Sequence, residues 1–147
     1  MWMKSAPPTE VYIDGASRGN PGPAGIGAVF FDAQGRPFVE LSKYLGETTN
    51  NVAEYLALLY ALQEAQALGL KRLAVKTDSE LLAKQLAGAY KVRNGTLRLF
   101  HDFARYAIER FEQVSVEHVN RERNTHADRL AARAVNGRPM AQASPRA

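Results

Sequence analysis

Four acidic side chains stand at positions from which a carboxylate can do chemistry. Asp14 closes a short stretch in which Val11 and Ile13 alternate with Glu10 and Tyr12. Asp78 closes a second such stretch, LKRLAVKTD (70–78), with Leu73, Val75 and Thr77 on one face. In an open α/β sheet, sites lie outside the carboxyl ends of strands, so the two aspartates would sit side by side if their strands were parallel neighbours. Glu54 lies in the first turns of a helix whose next residues, YLALLYAL, are all apolar. A carboxylate there is near buried surface and close to a helix N-terminus, which favours an anion. Asp128 lies in the first turn of the last helix. Were the four to share a pocket, they would repel one another and some would hold protons. A hard divalent ion would relieve the repulsion, and oxygen-only ligands select Mg²⁺ or Mn²⁺ over zinc.

Each acid also has an ordinary explanation. Asp14-Gly15 is a common turn pair. Asp78 could cap a helix beginning at Ser79. Glu54 could interact only with its own helix dipole, and Thr125-x-x-Asp128 fits a capping box. Spacing alone does not choose between ligand and cap.

The elements that must position these residues are legible. After the first strand comes the turn cluster SRGNPGPAG, then strands at 26–32 and 38–45 joined by a glycine-containing turn, an antiparallel hairpin. Thr49 or Asn50 caps a helix that runs to about Leu68, where Gly69 stops it. Its all-apolar middle predicts deep burial. A strand at 70–78 and a helix at 79–88 follow, then the polar loop AYKVRNGT. A helix at 97–111, a strand at 114–119 and a helix at 125–135 complete the pattern. The order β-β-β-α-β-α-α-β-α predicts an α/β fold with a mixed sheet. GNPGPAGIG is no nucleotide loop, because a strand follows it where that motif requires a helix.

With 147 residues the chain has the length of one domain. It has no cysteine, which excludes disulfide scaffolds, thiolate metal sites and cysteine nucleophiles. The longest apolar run, Tyr55 to Leu62, falls far short of the ~20 residues that cross a membrane. No signal peptide is visible, so a cytoplasmic location is expected. The net charge of +4 resides entirely in residues 121–147, which carry six arginines against Glu122 and Asp128. A flexible N-terminus (1–8), a domain at 9–136 and a flexible basic tail (137–147) are therefore expected, and the tail suits a polyanion.

The segments VYIDGASRGNPGPAGIGAVF, TTNNVAEYLALLYAL, VKTDSELLAKQLAG and RERNTHADRLA resemble type 1 ribonuclease H in order and spacing, over about residues 9–136. The resemblance implies a ribonuclease H-like fold, with a five-stranded mixed sheet in the order 3-2-1-4-5 and helices on both faces. It implies that Asp14, Glu54, Asp78 and Asp128 converge as an acidic tetrad holding two Mg²⁺ ions, with Mn²⁺ as substitute. Such ions, about 3.5–4 Å apart, flank a phosphodiester. The implied activity is hydrolysis of the RNA strand of RNA/DNA hybrids, leaving 5′-phosphate and 3′-hydroxyl ends.

A hybrid is told from DNA by its 2′-hydroxyls, which calls for short, rigid polar groups near the metals. The resemblance puts Gly15, Ser17, Asn20, Asn50 and Asn51 there. Thr49 resembles the threonine of the family's phosphate pocket, which Lys91, Arg93 and Asn94 would complete. Three features depart from many relatives. The basic, tryptophan-rich protrusion is replaced by AGAYKVRNGT, and the single tryptophan is Trp2. The loop before the fourth acid is short, and Arg121 looks like the substitute for its mobile histidine, with His118 and His126 as the other candidates. Glu47 falls where relatives often carry an arginine. The alternatives are an enzyme that also cuts double-stranded RNA or RNA–DNA junctions, and a non-catalytic nucleic-acid-binding module. A monomer is expected.

Overall fold

The computed structural model describes residues 6–137. The chain runs β1 (Thr9–Ser17), β2 (Gly22–Phe31), β3 (Pro37–Thr48), α1 (Asn50–Ala67), β4 (Arg72–Thr77), α2 (Glu80–Leu86), α3 (Gly95–Ile108), β5 (Gln113–His118) and α4 (Thr125–Asn136), with a single 3₁₀ turn, Arg121–Arg123, before α4. The element order and the sheet order 3-2-1-4-5 are those expected from the sequence. β1, β2 and β3 pair antiparallel, whereas β4 lies parallel to β1 and β5 parallel to β4. Most of the expected N-terminal extension and nearly all of the basic tail, residues 1–5 and 138–147, lie outside the described residues.

Strand pairing sorts the side chains between two layers, because directly paired residues share a face of a sheet. Val11 and Ile13 of β1 and Ile26, Ala28 and Phe30 of β2 face α1, where they bury against Tyr55, Leu58 and Leu62. Asp14 is paired with Gly27 and so faces α4 instead. α4 lies very close to β2: a Cβ on Gly27 would come within 2.3 Å of the Ala127 carbonyl oxygen, and one on Gly25 within 2.7 Å of the Ala134 Cβ. Ala127, Leu130 and Ala131 fill the second, smaller core there.

Several boundaries differ from the sequence reading. β1 does not end at Asp14 but continues to Ser17, because β2 keeps pairing with it as far as Ser17 opposite Ala24. α3 starts earlier than expected, capped by Asn94, whose side chain accepts the Leu97 N–H at 3.0 Å. It also ends earlier, in tightened bonds from Arg110 to Ala107 and from Phe111 to Ile108. The all-apolar stretch of α1 is not buried on every side. Leu56 and Leu59 are half-buried and Tyr60 is exposed, and with Phe100 and Phe103 of α3 they line an apolar groove.

Candidate active site

Asp14 and Asp78 are brought together by the parallel pair. The β1–β4 register ends at Ile13 opposite Thr77, so each aspartate is the next residue along its strand. Asp78 does not cap α2. Ser79 does so, accepting the Leu82 N–H at 3.1 Å, while Thr77 accepts the Ser79 N–H at 3.0 Å. Those two hydroxyls satisfy the backbone locally and leave the Asp78 carboxylate to face Asp14.

Glu54 reaches the same point from α1. It is buried, and the Gly15 N–H donates to its Oε1 at 3.0 Å. The approach depends on glycine. A Cβ at Gly15 would lie 2.3 Å from the Ala53 carbonyl carbon and oxygen and 2.5 Å from the Glu54 nitrogen. Gly15→Ala should therefore push α1 away from β1 and cost about 1–3 kcal/mol of stability. Denaturant unfolding checks this, and an unchanged midpoint would mean that the helix tolerates the displacement.

Carboxylate oxygens of Asp14, Glu54 and Asp78 all lie within 4.8 Å of one another. Asp128, more exposed on α4, lies near enough to Asp14 to raise its pKa. The alternative reading of Asp128 as part of a capping box does not hold, because Asn124 rather than Thr125 is the N-cap of α4 and makes no side-chain cap bond. Burial first, then repulsion from Glu54, Asp78 and Asp128, pushes the Asp14 carboxyl up to about 9. Burial and Asp78 push Glu54 up to about 8, while the Gly15 N–H and the Arg121 guanidinium pull it down. Acids crowded in this way hold protons at neutral pH unless a cation replaces them. The donor set is all oxygen and anionic, which fits a hard divalent ion.

A family model described as "Reverse transcriptase-like" matches residues 12–134. A ribonuclease HI of Halobacterium salinarum is 42% identical over 125 residues, which are 85% of this chain and 63% of that protein. The crystal structure of the ribonuclease H1 from that organism superposes with a TM-score of 0.86 at 40% identity, covering 89% of this chain and 99% of that one. This chain belongs to the type 1 ribonuclease H family.

Two further proteins are similar over most of this chain. A bifunctional protein of Mycobacterium tuberculosis is 42% identical over 91% of this chain but 37% of its own length. The chain thus spans between about a third and two thirds of the length of these curated relatives. A ribonuclease H1 isolated from compost, solved in complex with an RNA/DNA hybrid, superposes with a TM-score of 0.84 at 40% identity over 88% of this chain and 97% of that one.

The remaining residues singled out from the sequence fall in several places. Asn20 accepts the Asn50 N–H at 2.9 Å and so ties the β1–β2 turn to the start of α1. Thr49, rather than Asn50, caps α1, accepting the Val52 N–H at 3.2 Å. Asn20 is thereby set against the start of α1, the helix that carries Glu54, while Gly15 contacts Glu54 directly. Lys91 and Arg93 are exposed on the α2–α3 loop, and Asn94 caps α3. Arg121 lies on the 3₁₀ turn, close enough to the cluster to act on Glu54. His126 faces elsewhere: it contacts Glu40 and stacks edge-on against Phe31, which pairs with Glu10 at the opposite end of β1. His118 is exposed at the end of β5, paired with Thr77. Glu47 is exposed on β3 opposite Pro23.

Sequence reasoning passed over Asn124, which holds the two halves of the site together. It is buried, its Nδ2 donates to the Ile13 carbonyl at 2.9 Å, and its own carbonyl accepts the Asp128 N–H at 3.0 Å. It thus joins the residue before Asp14 to the turn bearing Asp128. The only hint in the sequence was an asparagine at a helix start, which reads as a cap.

Proposed function

We propose that this chain is a metal-dependent endoribonuclease that hydrolyses the RNA strand of RNA/DNA hybrids. The observation that carries the reading is the meeting of Asp14, Glu54 and Asp78 within 4.8 Å, with Asp128 beside Asp14. Asp14, Glu54, Asp78 and Asp128 would hold two Mg²⁺ ions, or Mn²⁺ in their place. Bound there, the ions supply the charge that prepares a water for attack and offsets the negative charge of the phosphodiester. Water would add to phosphorus and lose a proton to solvent while the bond to the 3′ oxygen breaks and that oxygen takes up a proton, which leaves 5′-phosphate and 3′-hydroxyl ends.

The chain's own groups have separate tasks. Asp14, on β1 with Asp78 at the end of β4 and Asp128 on α4 as neighbours, would be the carboxylate shared between the ions. Gly15, Ser17, Asn20, Asn50 and Asn51 present short polar groups to the minor groove, where the 2′-hydroxyls lie. Thr49, Lys91, Arg93 and Asn94 hold phosphates of the other strand. Arg121, exposed and cationic near Glu54, takes the part of the missing loop histidine in releasing product. The hybrid bound by the compost relative supports this substrate.

Cleavage of an end-labelled RNA/DNA hybrid, beside matched double-stranded RNA, double-stranded DNA and single-stranded RNA, tests the reading. The assay is run with Mg²⁺, with Mn²⁺ and with EDTA. Metal-dependent cutting of the hybrid's RNA strand is expected. A folded protein that cuts none of these with either metal would favour a binding module instead.

A further inference from the structure

α2 ends in a buried polar pair that the acidic site does not use. Gln85 is 5% exposed and Tyr55 only 1%. The Tyr55 hydroxyl donates to Gln85 Oε1 at 2.6 Å, and Gln85 Nε2 donates to the Lys91 carbonyl at 3.3 Å. Burial pushes the Tyr55 phenol up to about 12, so it keeps its proton and acts as donor. That fixes the amide's orientation, with its oxygen toward α1 and its nitrogen toward the loop.

The α2–α3 loop, residues 87–94, has no regular structure of its own. It is gripped at its entry by the last carbonyls of α2. Lys84 accepts the Ala89 and Tyr90 N–H groups, and Gln85 accepts the Gly88 N–H. Two side chains one turn apart on α3 hold the same helix end. His101 Nε2 contacts the Gln85 carbonyl at 3.2 Å, and Arg105 donates to the Leu86 carbonyl at 2.9 Å. At its exit Asn94 caps α3. Between these fixed ends, the Gln85 side chain is what reaches the middle of the loop, at the residue that carries one of its two cations. Lys91 and Arg93, with Arg98 of α3, line a groove of about 650 Å³.

We propose that Tyr55 and Gln85 are positioning residues for nucleic-acid binding: they hold the 87–94 loop so that Lys91 and Arg93 meet the phosphates of a bound duplex. A short clamped loop would then stand in for a long basic protrusion, and Tyr55 would couple it to the helix that carries Glu54. This rests on the function proposed above.

The test is the double variant Tyr55→Phe/Gln85→Met in the full chain. Replacing both members of a buried hydrogen-bonded pair by apolar groups of similar shape can be nearly neutral for stability, so loop position is separated from folding. Hydrogen exchange of the residue 88–94 amides should quicken while the melting temperature stays close to wild type. With Mg²⁺ and a labelled RNA/DNA hybrid, KM should rise about tenfold, as expected on losing one or two phosphate contacts, with kcat within about twofold. In a Lys91→Gln/Arg93→Gln background the same double change should leave KM where those two substitutions put it. Unchanged exchange and unchanged KM would overturn the proposal. So would a fall in kcat at constant KM, which would make the pair a support for Glu54. If the wild-type chain neither binds nor cuts the hybrid, the functional reading itself fails.

Discussion

Asp14→Asn is expected to lower metal-dependent cleavage of the hybrid by on the order of a thousandfold or more, because it removes the carboxylate that would serve both ions in the proposed function. The substitution keeps the shape of the side chain and takes away its charge. Asp14 is buried beside Glu54, Asp78 and Asp128, so a neutral amide there also relieves repulsion. The variant should therefore fold, and in EDTA at alkaline pH it should melt higher than the wild type. Single-turnover cleavage and thermal melting on the same samples check both halves. A variant that retains near-wild-type cleavage would remove Asp14 from the chemistry. One that loses cleavage and unfolds would leave Asp78→Asn as the discriminating substitution, since Asp78 is less buried.

The second large effect is a linkage of pH, metal and stability. Asp14 and Glu54 have ordinary carboxyl values of 3.8 and 4.5 but are raised to about 9 and about 8 in the folded chain, chiefly by burial. Below about pH 4 both the folded and unfolded states are protonated at these groups. Above it the unfolded chain releases its protons first, while the folded chain keeps them. The folded state then binds more protons than the unfolded state, so stability falls as pH rises. The fall continues until both groups ionise near pH 8–9. In EDTA the melting temperature should therefore decline from mildly acidic pH toward pH 9. Mg²⁺ held as in the proposed function would take the place of those protons, so the stabilisation by millimolar Mg²⁺ should grow over the same range. A metal effect independent of pH would mean that the ion does not displace protons from these acids. Asp14→Asn should flatten both curves.

How much of this was legible in the sequence differs from residue to residue. The strands and helices were, because alternation in Val11–Ile13 and Leu73–Thr77 and the apolar run of α1 reflect burial directly. Asp14 and Asp78 were legible as candidates, because each follows an apolar strand. Their roles were not, since Asp78 beside Ser79 reads equally well as a cap. What decided between those readings was local hydrogen bonding: Ser79 and Thr77 take the capping work, and Asn124 displaces the Thr125–Asp128 box. The extension of β1 to Ser17 was not legible either, because Gly15 and Ala16 carry no strand signal and are held by pairing with β2.

The sequence by itself determined the order of the elements, the absence of thiol chemistry, the family resemblance and the set of acids from which a site could be built. Those follow from residue type and short-range periodicity, which a chain carries whatever its fold. Only the tertiary structure decided which acids meet. The parallel register of β1 and β4 sets Asp78 beside Asp14, and Gly15 lets α1 come close enough for Glu54 to join them. It also decided that Gln85, an unremarked glutamine near a helix end, is buried between Tyr55 and the Lys91 carbonyl. Contacts between residues far apart in the chain depend on strand register and helix packing, and no local pattern encodes them.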